Sequence, residues 1–432
     1  MKKSSFFLGG ALLLSALFLT SCDKVMSKLD NPVSSYLEVG KADVVIPTGD
    51  TYQIEASTIS TMPIMYESSN PEVATVDADG LVTAIADGEA TITVTVEQDA
   101  NKAYLAGEQK INVAVKRPLT FEALEDGQIN VSFNYGITLE KPIVYTINGG
   151  TKQEITATTS IAVTKGDKVE FESANDHTAE YGTYGSYNRI KFVNIRPQSQ
   201  CAVYGNVMSM ISPDGNYHTN KTITAPYALA YLLRGYYNYT DDIYCTVSHD
   251  KYDLVLPATT LNDYCYYGLL YYTGITKAPE LPAEELTPYC YAYMFENCQS
   301  LETAPELRAK ELKDYCYYQM FRNCTKLSYL KCLAKNTEYR SVYCMLWNAG
   351  TDESVTTRTL ERDPDTFWSI IPMGYVSSYS LYVNENWTIT PTQEAASAPA
   401  RRASASVEVA PTKDNTPIMP DAGAQDRPHV QF

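Results

Sequence analysis

Between Leu256 and Cys332 the chain repeats one unit of 25 or 26 residues three times, with copies beginning at Leu256, Leu281 and Leu307. They read LPATTLNDYCYYGLLYYTGITKAPE, LPAEELTPYCYAYMFENCQSLETAPE and LRAKELKDYCYYQMFRNCTKLSYLKC. A period of this size predicts a stacked array, in which each unit buries its apolar face only against its neighbours. Such an array makes a long, gently curved surface and has no inherent need of a catalytic pocket.

The full chain of 432 residues has room for about three domains of roughly 100–200 residues each. Lys and Arg total 34 against 51 Asp and Glu, a formal charge of −17. Nucleic-acid binding is driven by Lys and Arg neutralising phosphates, so no nucleic-acid partner is expected. Bare anionic lipid would also repel the chain unless a covalent anchor held it there. Tyrosine is over-represented, with 35 Tyr against 11 Phe and 3 Trp, and is densest in the repeats.

The N-terminus reads as an export signal over residues 1–21. Lys2 and Lys3 are followed by an apolar run from Phe6 to Thr20, shorter than the ~20 residues of a spanning helix. Its close, Leu19-Thr20-Ser21-Cys22, resembles the bacterial lipobox. That resemblance implies lipidation of Cys22, which becomes the first residue of the mature protein, and a membrane partnership through the lipid. Several acyl chains hold such a protein firmly where one would not. Residues 22–34 then form a lipidated tether. Asp23 followed by Lys24 partly matches the acidic signal of surface-displayed lipoproteins of Bacteroidetes. Outer-membrane display at the cell surface is expected, with the periplasmic face as the alternative.

Residues 35–115 alternate apolar and polar positions in runs such as Ala90–Val96 and Ile111–Val115, the pattern of half-buried strands. The segment YESSNPEVATVDADGLVTAIADGEATITVTV, from Tyr66 to Val96, resembles the bacterial Ig-like domain of group 2. Val73, Ala74 and Val76 bring a strand into the core, Asp79-Gly80 turns it, and Leu81 and Val82 start the next. Gly88 allows a sharp turn before Ile92 and Val94. Tyr66 stands where that family usually carries Trp, and the resemblance implies a spacer module. Arg117-Pro118 marks a boundary, after which residues 116–204 read as a second small β-sandwich domain. Asn148-Gly149-Gly150 is its expected hairpin turn, and Lys165 to Lys168 suggests another.

The expected fold class is mainly β with short helices: an Ig-like sandwich, a second β-domain, then a solenoid over 205–390 with an atypical unit at each end. The entry unit carries a Tyr-rich stretch to Tyr239, and the exit unit contains Trp347, Trp368 and Trp387. Residues 391–432, rich in Ala, Ser, Pro and Thr, are expected to be disordered. Within the second unit Cys290, Met294 and Cys298 fall four apart, as on one face of a short helical turn bordered by Phe295. The third repeats this with Cys316, Met320, Phe321 and Cys324, whereas the first has Leu269, Leu270 and Thr273 at or near the corresponding places. The pattern C-Y-x-x-M-F-x-N-C-x-x-L resembles the BspA-type leucine-rich repeats of Bacteroides and related surface proteins. That resemblance implies an adhesin, and binding rather than catalysis.

Nine cysteines besides Cys22 allow either a disulfide framework or a ladder of small buried residues at Cys265, Cys290 and Cys316 and at Cys298 and Cys324. Repeat phase favours the ladder. No C-x-x-C occurs and no His lies within the three units, so neither a metal nor another cofactor is expected. Two tyrosine rows recur in register: Tyr264, Tyr289, Tyr315 and Tyr266, Tyr291, Tyr317. Either both are half-buried rungs, or one is an outward aromatic strip for a protein or glycan macromolecule. The binding candidates are Tyr266, Tyr291 and Tyr317. Glu284, Glu285, Glu296 and Glu306 would bias such a face toward basic partners. His177, His218, His249 and His429 are scattered and no hydrolase, phosphate-loop or metalloprotease motif occurs, so an enzyme is not expected. The expected function is a lipid-anchored cell-surface binding protein. A glycan-binding accessory lipoprotein of polysaccharide uptake and a structural envelope or appendage component are the alternatives.

Overall fold

In the Ig-like region the alternation of the sequence becomes alternation of burial. The computed structural model describes residues 33–98, 104–235, 245–366, 370–372, 381–383 and 387–392. The export signal, Cys22, nearly all of the tether, Tyr239, Trp368 and the tail beyond Thr392 lie outside the described residues. Nine strands build the first module: β1 (Glu38–Val39), β2 (Asp43–Ile46), β3 (Thr51–Gln53), β4 (Ala56–Ser57), β5 (Ile64–Ser68), β6 (Ala74–Val76), β7 (Leu81–Ala84), β8 (Gly88–Val96) and β9 (Gly107–Val115). One sheet runs β2-β9-β8-β5 and faces another of order β3-β7-β6. Ala90, Ile92, Val94 and Val96 of β8 and Ile111, Val113 and Val115 of β9 are all buried between them. Val82 turns inward and Leu81 outward, as period two requires. Gly80 has φ +79°, and a Cβ there would lie 2.8 Å from the Tyr66 ring, so the aromatic of this module packs directly on the turn.

The second module has β10 (Leu119–Ala123), β11 (Gly127–Asn134), β12 (Ile143–Ile147), β13 (Gln153–Ile155), β14 (Thr159–Val163), β15 (Lys168–Ser173), β16 (Ala179–Tyr184), β17 (Tyr187–Pro197) and β18 (Cys201–Asn206). Its sheets are β13-β12-β15-β10-β18 and β14-β11-β17-β16. The β12–β13 turn holds Asn148 at φ 53° and Gly149 at φ 67°, the double left-handed pair of a tight hairpin. Parallel strands β19 (Thr246–Ser248) and β20 (Leu254–Val255) extend β18. Phe121, Phe171, Val207, Met210, Leu229 and Leu269 belong to one continuous core, so no break in packing separates this sandwich from the repeats.

Arg117, which reads as a linker residue in the sequence, is a lock. It is 5% exposed, pairs with Asp50 at 3.0 Å and donates from Nε and Nη2 to the Thr48 carbonyl. Its guanidinium lies 4.2 Å from the Tyr252 ring centre and 5.4 Å from that of Tyr204, while the Tyr252 hydroxyl donates to Asp50 at 2.8 Å. Asn206 adds a bond to Asp87 at 2.8 Å, a carboxyl that burial pushes above its usual range. Groups of both modules thus converge on one buried cation. Removing one partner of a buried pair costs about 3–5 kcal/mol, and Asp50 is 38% exposed, so Arg117→Ala should cost about 2–3 kcal/mol. In calorimetry the Ig-like module should then melt in a transition of its own.

The repeats correct one expectation: among the described residues the helical element is the 3-10 turn Val207–Ile211, and the repeat segments hold no helix. Each is a run of consecutive turns. Cys290, Ala292, Met294 and Glu296 donate N–H to the carbonyl three residues back, at 3.1–3.3 Å. The intervening Tyr289, Tyr291, Tyr293, Phe295 and Asn297 donate to Asp314, Cys316, Tyr318, Met320 and Arg322 of the next coil, at 2.8–3.1 Å. The same alternation runs through 227–235, 264–272 and 315–323, each feeding the coil that follows. An α-helix would use nearly every donor internally; here half of them cross, as in a β-ladder. On the other side of the coils, parallel bridges join Lys277 to Thr303 and Thr303 to Tyr329. Strands β21 (Tyr329–Cys332), β22 (Thr359–Arg362), β23 (Ile370–Pro372), β24 (Leu381–Val383) and β25 (Thr388–Pro391) follow, with β21-β22-β25 forming one parallel sheet.

Candidate functional site

A turn run of this kind needs a left-handed residue at every fourth position. Positive φ occurs at Tyr227 and Tyr231, at Tyr264, Gly268 and Tyr272, at Tyr289, Tyr293 and Asn297, and at Tyr315, Gln319 and Asn323. Left-handed backbone costs an L-residue about 1–2 kcal/mol, and the arrangement around each position offsets it. Asn tolerates the conformation best, and Asn297, Asn323 and Asn348 form a side-chain ladder with bonds of 2.9 and 3.1 Å. Gly268 fits where the Tyr231 ring would lie 2.5 Å from a Cβ.

The tyrosines stack. Ring centres of Tyr181 and Tyr227 are 5.8 Å apart, Tyr227 and Tyr264 4.5 Å, and Tyr264–Tyr289 and Tyr289–Tyr315 each 4.4 Å with planes 8° apart. Tyr339 closes the column edge-on at 5.5 Å, and the Arg340 guanidinium sits over the Tyr315 and Tyr339 rings. Each stacked pair is worth about 0.5–1.5 kcal/mol. Tyr289, with a neighbour on both faces and its N–H bonded across, therefore at least balances its strain. A ring with one neighbour would not, which explains why both ends are capped. The column is half-buried: its faces cover one another, and its hydroxyls hydrogen-bond along the file from Tyr227 through Tyr264 and Tyr289 to Tyr315.

Tyr266, Tyr291 and Tyr317 are not available as a surface. Each is 1% exposed, two residues along from the left-handed position and aimed into the core, where 266 and 291 stack at 5.6 Å and 291 and 317 at 6.2 Å. The expectation that this row forms an outward strip is corrected: it fills the core, and the half-buried row is Tyr264, Tyr289 and Tyr315. The buried hydroxyls of Tyr266 and Tyr291 lack a hydrogen-bond partner, and such groups cost about 1–3 kcal/mol each. The double substitution Tyr266→Phe, Tyr291→Phe should raise stability by about 1–2 kcal/mol in urea unfolding, the opposite of what loss of a functional contact would give.

The cysteines form the ladder and not a disulfide framework: all nine described are free thiols. Cys265, Cys290 and Cys316 share one fully buried slot. In the other, Cys298 Sγ donates to the Leu270 carbonyl and Cys324 Sγ to that of Phe295, each at 3.0 Å. Thr273 takes this place in the first unit and its hydroxyl donates to Leu270 as well. Burial pushes Cys290 and Cys298 up to about 12 and Cys332 and Cys344 to about 11. Tyr231 and Tyr264 rise to about 12 for the same reason. The unfolded chain loses these protons first, from its ordinary thiol and phenol values near 9–10, while the folded chain keeps them. Their contribution to stability should therefore be full below about pH 9 and fall steadily between pH 9 and 12, read as a Tm that falls across that window.

A second polar cluster sits beneath the Arg117 lock. Glu122 accepts from Tyr204 at 3.1 Å and has Lys168 at 3.8 Å and His249 Nε2 at 3.5 Å. His249 Nδ1 accepts the main-chain N–H groups of Lys251 and Tyr252 at 2.9 and 3.1 Å, which leaves the ring proton on Nε2, facing Glu122. Both nitrogens are engaged, and the ring braces the 249–252 turn. The adjoining cavity, lined by Val203, His249, Tyr252 and Lys277, measures about 20 Å³, room for a single water. Among the described residues no three His, Cys, Asp or Glu side chains are placed to hold a metal ion.

Residues 37–106 match the family model of the bacterial Ig-like domain (group 2). No curated protein matches the chain. The molecule is a nearly all-β protein that carries an Ig-like module, a module consistent with a cell-surface or adhesion-type protein. The tyrosine column lies wholly outside the matched residues.

Proposed function

We propose that the chain is a lipid-anchored binding protein of the bacterial outer surface, held by Cys22, with its stacked coils acting as a BspA-like leucine-rich-repeat solenoid. The tyrosine column carries this reading. Three coils hold Tyr264, Tyr289 and Tyr315 in one plane-parallel file along the half-buried rim of the stack. Ring edges are the positive part of the aromatic quadrupole and the hydroxyls both donate and accept. The edge of the file thus suits the carbonyls and carboxylates of a protein more than the flat faces of sugar rings, which need an uncovered ring to lie on. The Ig-like module, locked at Arg117, holds this surface away from the membrane.

The test prints matrix proteins and polysaccharides and probes them with the purified full chain, beside the variant Tyr264→Phe, Tyr289→Phe, Tyr315→Phe. These changes keep the stack and remove the hydroxyl edge. Protein spots weakened about tenfold in the variant, as loss of an interfacial anchor predicts, are the expected result. Signal confined to polysaccharides would favour the glycan-uptake alternative instead. In bacterial cells that express the chain, Cys22→Ser should move the protein from the membrane to the soluble fraction, and retention in the membrane would refute the anchor.

A further inference from the structure

The tip of the β16–β17 hairpin bears a second aromatic surface, separate from the column. Its sequence over 182–189, GTYGSYNR, is, apart from Thr183, made of the Tyr, Gly, Ser and Asn, with Arg, that protein-recognition loops favour, because Tyr gives large contact area at little entropy cost. Tyr184 and Tyr187 face each other across the strands and are 52% and 63% exposed. Directly paired residues share a face, so Arg189, two along from Tyr187, lies on the same side. Tyr135, left-handed at the end of β11, packs edge-on to Tyr184 at 5.6 Å. The Arg189 guanidinium lies 5.0 Å from the Tyr135 ring centre and 5.5 Å from that of Tyr187.

Arg189 is thus held by two rings, yet among the described residues no carboxylate lies within ion-pair distance of it. The nearby Glu180 is already paired with Lys191 at 3.2 Å, so the tip is locally positive on a chain of charge −17. Cation–π contact with two rings restrains the guanidinium without using its N–H donors, and a guanidinium binds a carboxylate by two parallel hydrogen bonds. Covered by a partner, the exposed rings around it would exclude water, the setting in which an Arg becomes an anchor. We infer that this face, formed by Tyr135, Tyr184, Tyr187 and Arg189, docks a carboxylate-bearing segment of a partner protein. The site lies outside the coil stack and rests on the proposed binding role only in that the partner is a protein.

The test selects cyclic peptides from a phage-displayed random library on the full chain. Binding of the selected peptides is then measured to Tyr184→Ala/Tyr187→Ala, Arg189→Ala and Arg189→Lys. These side chains are exposed or half-buried, and an unchanged melting curve checks each variant's fold. The expected result is a set of peptides enriched in Asp and Glu. Their affinity should fall about tenfold or more in every variant, because an ammonium lacks the planar fork. Peptides without carboxylates, or insensitive to all three variants, would overturn the assignment. So would polygalacturonate binding at these residues in the absence of peptide binding, which would make the site one for acidic glycans. The column variants should not alter peptide binding, so failure here and failure of the column as a binding surface are separable.

Discussion

The hydrogen bond that crosses from one coil to the next organises the repeat region. From Tyr289 to Asn297 every second N–H leaves its own coil for the carbonyl of the following one. A single coil would keep only its turn bonds and would face water with half its donors, its apolar side chains and several left-handed residues. Each unit is stable only as a neighbour of others, the property that makes such arrays cooperative along one dimension. The same bonds set coil-to-coil spacing near the thickness of an aromatic ring, and so the tyrosines stack.

From that spacing follows the division of labour between two tyrosine rows only two residues apart. Tyr289 leaves a left-handed residue at the rim and Tyr291 points into the core, so one row lies half-buried and the other fills volume. The thiols follow the same logic. At Cys298 and Cys324 a small side chain donates to a carbonyl of the preceding coil, whereas Thr273 at the same place turns its hydroxyl to the Leu270 carbonyl of its own coil. Fixed by Arg117, the Ig-like module and the sandwich serve as one rigid base for this stack.

Much of this was legible in the sequence. Period-two runs and the Asn148-Gly149 turn gave the strands of both sandwiches, the 25-residue period gave the stack, and equal phase placed the cysteines in shared buried slots. The turn runs were not legible as such, since Cys290, Met294 and Cys298 at four-residue spacing fit a helix as well as a coil with a left-handed residue every fourth place. A signal was present nonetheless. Gly268, Asn297 and Asn323 are the residue types most tolerant of positive φ, and each lies four or eight residues beyond the first tyrosine of its unit. The choice between tyrosine rows failed for the same reason, because which of two residues faces out depends on that backbone. Arg117 reads as a boundary because nothing local to Arg-Pro shows that Asp50 and Tyr252, distant in sequence, converge on it.

Residue-resolved hydrogen exchange across Tyr289–Cys298 tests the crossing hydrogen bonds most directly. Amides that bond within the coil, such as Ala292 and Met294, and amides that bond across, such as Tyr291 and Phe295, should share one opening free energy and exchange together. Alternating protection, with Tyr291 and Phe295 exchanging freely while Ala292 and Met294 remain slow, would mean that the coils stand alone. It would contradict the stack on which the tyrosine column depends.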